Sequence, residues 1–435
     1  MKPRSLVQGA LGLCTAALIA GCSQSPGTPA AQAYRPAYIL QVPASAQDTR
    51  QELEGRYGGK VVELNTQEGY AVMGLDQAAA KTQNLRAQSL GDEPVAEPNL
   101  NQFQGGALAL MAGSRSFWMG GEWQAWAGGS RSFWMGGQYA PIAQNTQPFQ
   151  QIKLENAQKL APNLGAGVKV AVIDTGIDLS HPAFAGALAP STEWKDFYGN
   201  DNVPQEEGIL GVGGYGHGTS VASIVLQVAP KATILPLRVL GPNGDGDTLQ
   251  VANAIKYAVA QKARIINLSL GSTTKSDTVQ SAIQAATTAG VLVVSSAGND
   301  NTPTITYPAI IADDKGPLGE RSLSVGSVNS WNMKSSFSNY SPDLELSAPG
   351  ENIFTAGPGN LLVAWSGTSM AAPMAAGGLA LALGQTLAVD IKDVTRKMAE
   401  NGFDLYNSGL NSAYKDKLGK RRLDLELFLK STIRY

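Results

Sequence analysis

The chain has 435 residues, of which 43 % are hydrophobic and 16 % charged, and a formal net charge of −2. That length points to two or three units, and the apolar content rules out a chain disordered throughout. With neither a basic excess nor an acidic tail, the balance argues against nucleic acid or a cationic polymer as partner.

Met1-Lys2-Pro3-Arg4 is a short cationic start, followed by an apolar run over 6–20. The run is too short for a stable membrane-spanning helix and suits a signal peptide. Ile19-Ala20-Gly21-Cys22 places small residues before a cysteine and resembles the end of a bacterial lipoprotein signal. On that reading residues 1–21 are removed and Cys22 carries the lipid. Cys14 is the only other cysteine and leaves with the signal, so the mature protein is expected to lack disulfides. Residues 22–36 are small, polar and proline-bearing, the composition of a tether.

A compact pattern follows over 37–99. Strands are predicted at 37–42, 59–64, 69–75 and 95–99, and helices at 45–57 and 76–89. The order βαββαβ is that of a small α+β, ferredoxin-like unit. Residues 100–149 change character: the string GSRSFWMGG occurs at 113–121 and again at 129–137. Two copies are too few for a solenoid, and the Gly/Ser-rich setting reads as a duplicated linker carrying aromatic spots.

From 150 to 435 short aliphatic runs (168–173, 233–237, 265–270, 291–295, 322–328) take turns with helical stretches (218–227, 248–262, 276–289, 369–385). Such alternation implies right-handed crossovers and an α/β unit, a parallel sheet with helices on both faces. Chemistry in such sheets collects at the carboxyl ends of the strands. Three strings sit there. Asp174 follows directly on a buried strand in VAVIDTG, His217 opens a helix in GHGTS, and Ser369 opens a helix in GTSMAAP. Pro373 is expected within the first turn of that last helix, where its missing N–H costs nothing.

A serine hydroxyl needs a neutral imidazole to take its proton, and the imidazole needs a carboxylate to fix its tautomer. The tetrahedral oxyanion needs fixed donors. Ser369, His217 and Asp174 supply the first three groups, and the Ser369 N–H with the Asn299 side chain supplies the donors. The strings DTGID, GHGTS, SSAGN and GTSMAAP, in that order, resemble the subtilisin family (subtilases), as does SFSNYSPDLELSAPG at 336–350.

That resemblance implies a serine endopeptidase acting on extended polypeptides, working as a monomer without a required cofactor. It also implies substrate binding along Ser269-Leu270-Gly271 and Ser296-Ala297-Gly298, whose backbone would add strands to a peptide. Residues 37–99 resemble the family's inhibitory prodomains, which makes this unit an intramolecular inhibitor removed by a cut somewhere in 100–149. The chain departs from the family at Ser220 and Met374, where other members often carry histidines. His181 is read as a packing histidine and Asp300 as a solvated rim charge. Calcium is common in subtilases. Asp196, Asp201, Asp245 and Asp247 are the candidates here, but their spacing forms no self-contained calcium loop.

Overall fold

The computed structural model describes residues 35–67, 69–90, 93–99, 103–104, 117–118, 124–125, 142–385, 389–407 and 409–433. The signal, Cys22, most of the tether and the second repeat copy lie outside the described residues.

The small unit has four strands, β1 (Tyr38–Pro43), β2 (Lys60–Asn65), β3 (Tyr70–Leu75) and β4 (Glu97–Pro98), with helices α1 (Arg50–Tyr57) and α2 (Gln77–Leu90). The sheet order is β2-β3-β1-β4, as the ferredoxin-like reading requires. α1 begins five residues later than expected. Ser45 spends its N–H and hydroxyl on Asp48, closing a separate turn. Thr49 and Glu52 then form a capping box that starts the helix.

Three short strands follow, β5 (Phe103–Gln104), β6 (Phe117–Trp118) and β7 (Gln124–Ala125). All three pair with strands of the large unit, which the linker reading of this region did not foresee. Phe117 and Trp118 belong to the first repeat copy, and their backbone is part of a sheet in the large unit.

In the large unit, α3 (Thr146–Gln151) and α4 (Leu154–Leu160) precede β8 (Lys169–Asp174), β9 (Lys195–Asp196), α5 (His217–Val228) and β10 (Thr233–Arg238). Then come β11 (Asp245–Gly246), α6 (Thr248–Ala260), β12 (Ile265–Leu268), α7 (Asp277–Thr288), β13 (Leu292–Ser296), α8 (Pro317–Glu320), β14 (Ser322–Val328) and β15 (Leu346–Pro349). A hairpin of β16 (Ile353–Gly357) and β17 (Leu361–Ser366) leads into α9 (Thr368–Leu383), and α10 (Val394–Glu400), β18 (Arg421–Arg422) and α11 (Leu425–Thr432) complete the chain. The main sheet runs β18-β15-β14-β13-β12-β8-β10-β9, and its pairings are parallel.

Strand alternation divides the interior in two. Val170 and Val172 of β8 face one cluster with α5 and α9, while Ala171 and Ile173 face another with α6 and α7. Both clusters are mainly aliphatic, and Asp174 stands at the end of the strand that faces them both.

The small unit docks on α6 and α7 by capping them. Asn99 accepts from Thr248 N–H at 2.9 Å through its carbonyl and from Leu249 N–H at 2.9 Å through Oδ1. Glu97 accepts from Asp277 N–H (3.1 Å), Thr278 N–H (3.3 Å) and the Ser276 hydroxyl (3.0 Å). Orphan donors at two helix starts are satisfied, and the negative charge sits at the positive end of α7. Ile39 and Val72 pack on Leu249, and Glu63 pairs with Lys256 at 2.6 Å. Beyond the caps, β5 pairs antiparallel with β11.

Candidate active site

Asp174 ends the central strand β8 and is buried. Its Oδ1 accepts from Thr175 N–H at 2.8 Å and from His217 Nδ1 at 2.7 Å. His217 is the first residue of α5, and no side chain separates that helix from the strand. A Cβ on Gly218 would stand 2.1 Å from the Gly176 carbonyl oxygen. The Trp365 indole meets the imidazole edge-on, with ring centroids 5.6 Å apart at 81°. His217 Nε2 is buried and has no partner among the described residues.

Ser369 is the second residue of α9, and Pro373 is the sixth. The proline therefore lies inside the helix and not in its first turn. It has no N–H for the carbonyl four residues back, which is that of Ser369. The Ser269 hydroxyl fills the gap, donating to the Ser369 carbonyl at 2.9 Å while accepting from Asn267 Nδ2 at 3.0 Å. The Ser369 hydroxyl donates to the Ser269 carbonyl at 3.2 Å. Ser269 thus grips the second residue of α9 at both its backbone and its side chain.

Asn299 lies in the loop after β13. Its Oδ1 accepts from Thr368 N–H at 2.8 Å and the Thr368 hydroxyl at 3.0 Å, so Nδ2 is the end left to donate. Gly298 beside it has φ +104°, and a Cβ there would meet Asn339 Nδ2 at 2.4 Å. Ser269-Leu270-Gly271 and Ser296-Ala297-Gly298 lie at the ends of the neighbouring parallel strands β12 and β13. Leu270 and Ala297 are buried, which leaves backbone as what these stretches offer a ligand.

Sequence reasoning missed Glu206. It is buried, and its Oε1 accepts from Gly216 N–H (3.0 Å) and Gly218 N–H (3.2 Å), the residues on either side of His217. Its carboxylate also binds the Thr175 and Thr219 hydroxyls. Only burial distinguishes Glu206 from its exposed neighbour Glu207, and nothing in the string QEEG signals that burial. Desolvation pushes the carboxyl from the ordinary 4.5 up to about 7, against the lowering effect of the two hydroxyls. Because the folded value is raised, the stabilising contribution is complete below pH 4.5 and is lost as pH rises through about 7. Glu206→Gln keeps an acceptor for both amides and cannot ionise. Thermal unfolding in a Ser369→Ala background should show parent stability falling between pH 5 and pH 8 by up to about 3 kcal/mol, and a flatter profile for Glu206→Gln. Parallel profiles would rule out ionisation of Glu206.

The remaining sequence candidates separate from the site. His181 is buried, accepts at Nδ1 from Ala183 N–H (3.1 Å) and packs edge-on against Phe184, a structural setting. Ser220 ties α5 to β16 through the Ala356 carbonyl at 3.0 Å, and Met374 is buried in the core. Asp300 donates its N–H to Asn339 Oδ1. Asp196 pairs with Arg238 at 3.1 Å, Asp201 accepts from Val203 N–H, Asp245 lies in β11, and Asp247 caps α6. These carboxylates do not converge: among the described residues no group of three or more metal-ligating side chains forms.

The sequence model of the Subtilase family matches residues 165–414. Thermitase of Thermoactinomyces vulgaris is 35 % identical over 281 residues, covering 61 % of this chain and 93 % of the relative. Subtilisin Savinase of Lederbergia lenta is 35 % identical over 263 residues, 57 % of this chain and 90 % of the relative. Among solved structures, a cold adapted subtilisin-like serine proteinase superposes with a TM-score of 0.51 and 31 % identity, covering 60 % of this chain and 89 % of that one.

Proposed function

The chain belongs to the subtilase family, subtilisin-like serine peptidases that hydrolyse peptide bonds, and on that premise we propose an exported endopeptidase with Ser369 as nucleophile. The observation that carries the assignment is the 2.7 Å Asp174–His217 pair, which fixes the imidazole through Nδ1 and leaves Nε2 to act as base. In the reaction the Ser369 hydroxyl swings from the Ser269 carbonyl to His217 Nε2, which takes its proton as Oγ attacks the scissile carbonyl. The bond being left is long at 3.2 Å, so the turn costs little. The oxyanion is held by the Ser369 N–H, one of the orphan donors of the first turn of α9, and by Asn299 Nδ2. His217 then gives the proton to the departing amine, and water releases the acyl group by the same steps. No organic cofactor is needed.

Polypeptide substrates would lie extended along 269–271 and 296–298, bonded mainly through backbone. Residues 37–99 act as the intramolecular inhibitor: they cap α6 and α7, and β5 continues onto β11. Release follows a cut within 100–149, giving a monomeric enzyme. Cys22 carries the lipid that holds the precursor at the membrane through residues 22–36.

A fluorophosphonate tests the nucleophile directly. Processed enzyme should gain the label on Ser369 alone, located by peptide mass spectrometry, and His217→Ala should abolish labelling. Label on another serine would overturn the assignment.

A further inference from the structure

The structure carries a feature that the proteolytic reading leaves unused. β17 pairs on one edge with β16, and along it Trp365 and Ser366 pair antiparallel with Trp118 and Phe117 of the first repeat copy. Further back, Leu362 and Leu361 pair with Gln124 and Ala125 of β7. β6 and β7 thus both lie antiparallel to β17 on the edge away from β16. β17 is also the strand that delivers Ser369, three residues after Ser366, and its Trp365 meets the His217 ring.

We propose that this edge of β17 is a receptor for the string GSRSFWMGG, and that the second copy at 129–137 exchanges onto it when the first is absent. The two copies are identical over nine residues at a spacing of 16, so Phe133 and Trp134 reproduce Phe117 and Trp118. Strand addition bonds backbone to backbone, and identical strings make equivalent rungs. The copies diverge only further on. Gln124 and Ala125 correspond to Ala140 and Pro141, and proline offers no N–H for the rung at Leu361. The second copy therefore matches the first beside Ser366 and binds less far along the strand.

The second copy can reach the edge. Asn145 is fixed to β16 by two hydrogen bonds with the Phe354 backbone, 2.6 Å and 2.9 Å long, and Phe354 is opposite Ala364 of β17. The far edge of β17 is thus about two strand spacings, some 10 Å, from Asn145. The twelve residues from Phe133 to Asn145 span up to about 40 Å when extended. Tethering at that range supplies an effective concentration near the millimolar scale. A single cut upstream of the second copy consequently leaves the edge filled, and complete release requires removal of both strings.

Amide hydrogen exchange at 365–366 in the full-length Ser369→Ala chain tests this. It reads backbone pairing and not hydrolysis, so its failure leaves the triad assignment standing. Phe117→Pro/Trp118→Pro removes the pairing donors of the first copy, and Phe133→Pro/Trp134→Pro those of the second. Each pair alone should keep the protection of 365–366, the residues that face the string, and all four substitutions together should lower it there at least about tenfold, with thermal unfolding confirming an intact fold. Synthetic GSRSFWMGG added to the fourfold variant should restore protection, and the peptide with prolines at its Phe and Trp should not. Loss of protection in the first variant alone would show that the copies are not interchangeable. Retained protection in the fourfold variant would show that the string does not occupy this edge.

Discussion

Ser369→Ala should abolish peptide hydrolysis, a loss on the order of 10⁶-fold that is known for the triad of subtilisin itself. The fold should survive, because among the described residues the hydroxyl makes one bond, at 3.2 Å to the Ser269 carbonyl. Its removal costs no more than about 1 kcal/mol. The grip of Ser269 on the Ser369 carbonyl does not involve the side chain and persists. Since the inhibitory unit and the site belong to one chain, the variant should accumulate uncut. Intact-mass analysis of that precursor reads two expectations together: an N-terminus at Cys22 with acyl mass attached, and no cut within 100–149. Activity within about tenfold of the parent would place the nucleophile elsewhere. A variant cut at the normal junction would assign processing to another protease.

Asp174→Asn should leave the geometry almost unchanged and lower kcat by about 10⁴-fold. The carboxylate has two tasks. Oδ1 holds Nδ1 of His217 at 2.7 Å, and the charge stabilises the imidazolium that forms when Nε2 takes the serine proton. An amide carries no charge, and if its NH₂ faces Nδ1 it selects the tautomer whose Nε2 is already protonated. The Thr175 N–H that also binds Oδ1 anchors the side chain in either case. The expected signature is a collapse of kcat with KM nearly constant, together with a melting temperature close to that of the parent. A comparable fall in both melting temperature and kcat would mean that Asp174 supports the fold and that the loss of activity is indirect.

The parallel sheet was legible because its strands are continuous aliphatic runs and its helices separate them at regular intervals. The strings around Asp174, His217 and Ser369 stood out for a related reason, since Asp174 ends a strand and His217 and Ser369 lie in the first turns of helices. The small unit was legible too, apart from the start of α1. What stayed hidden depends on contacts far apart in sequence. The hairpin β16–β17 is a short, mixed pattern whose first strand is held by the distant side chains of Asn145, Ser220, Ser223 and Gln227. Glu206 and Trp365 flank His217 from distant segments. The repeat read as a linker because low-complexity composition says nothing about an available strand edge. Pro373 was misplaced because the remedy for its missing donor, Ser269, lies 104 residues earlier.

That remedy sets how still the nucleophile is held. The first turn of a helix ordinarily frays at little cost, with opening free energies near the bottom of the range within a protein. In α9 the second residue is fastened to the end of β12, a strand with neighbours on both sides in the middle of the sheet. Fraying of that turn must therefore first break the bond to Ser269, so Ser369 occupies a helix terminus by sequence yet is tied directly to the end of an inner strand.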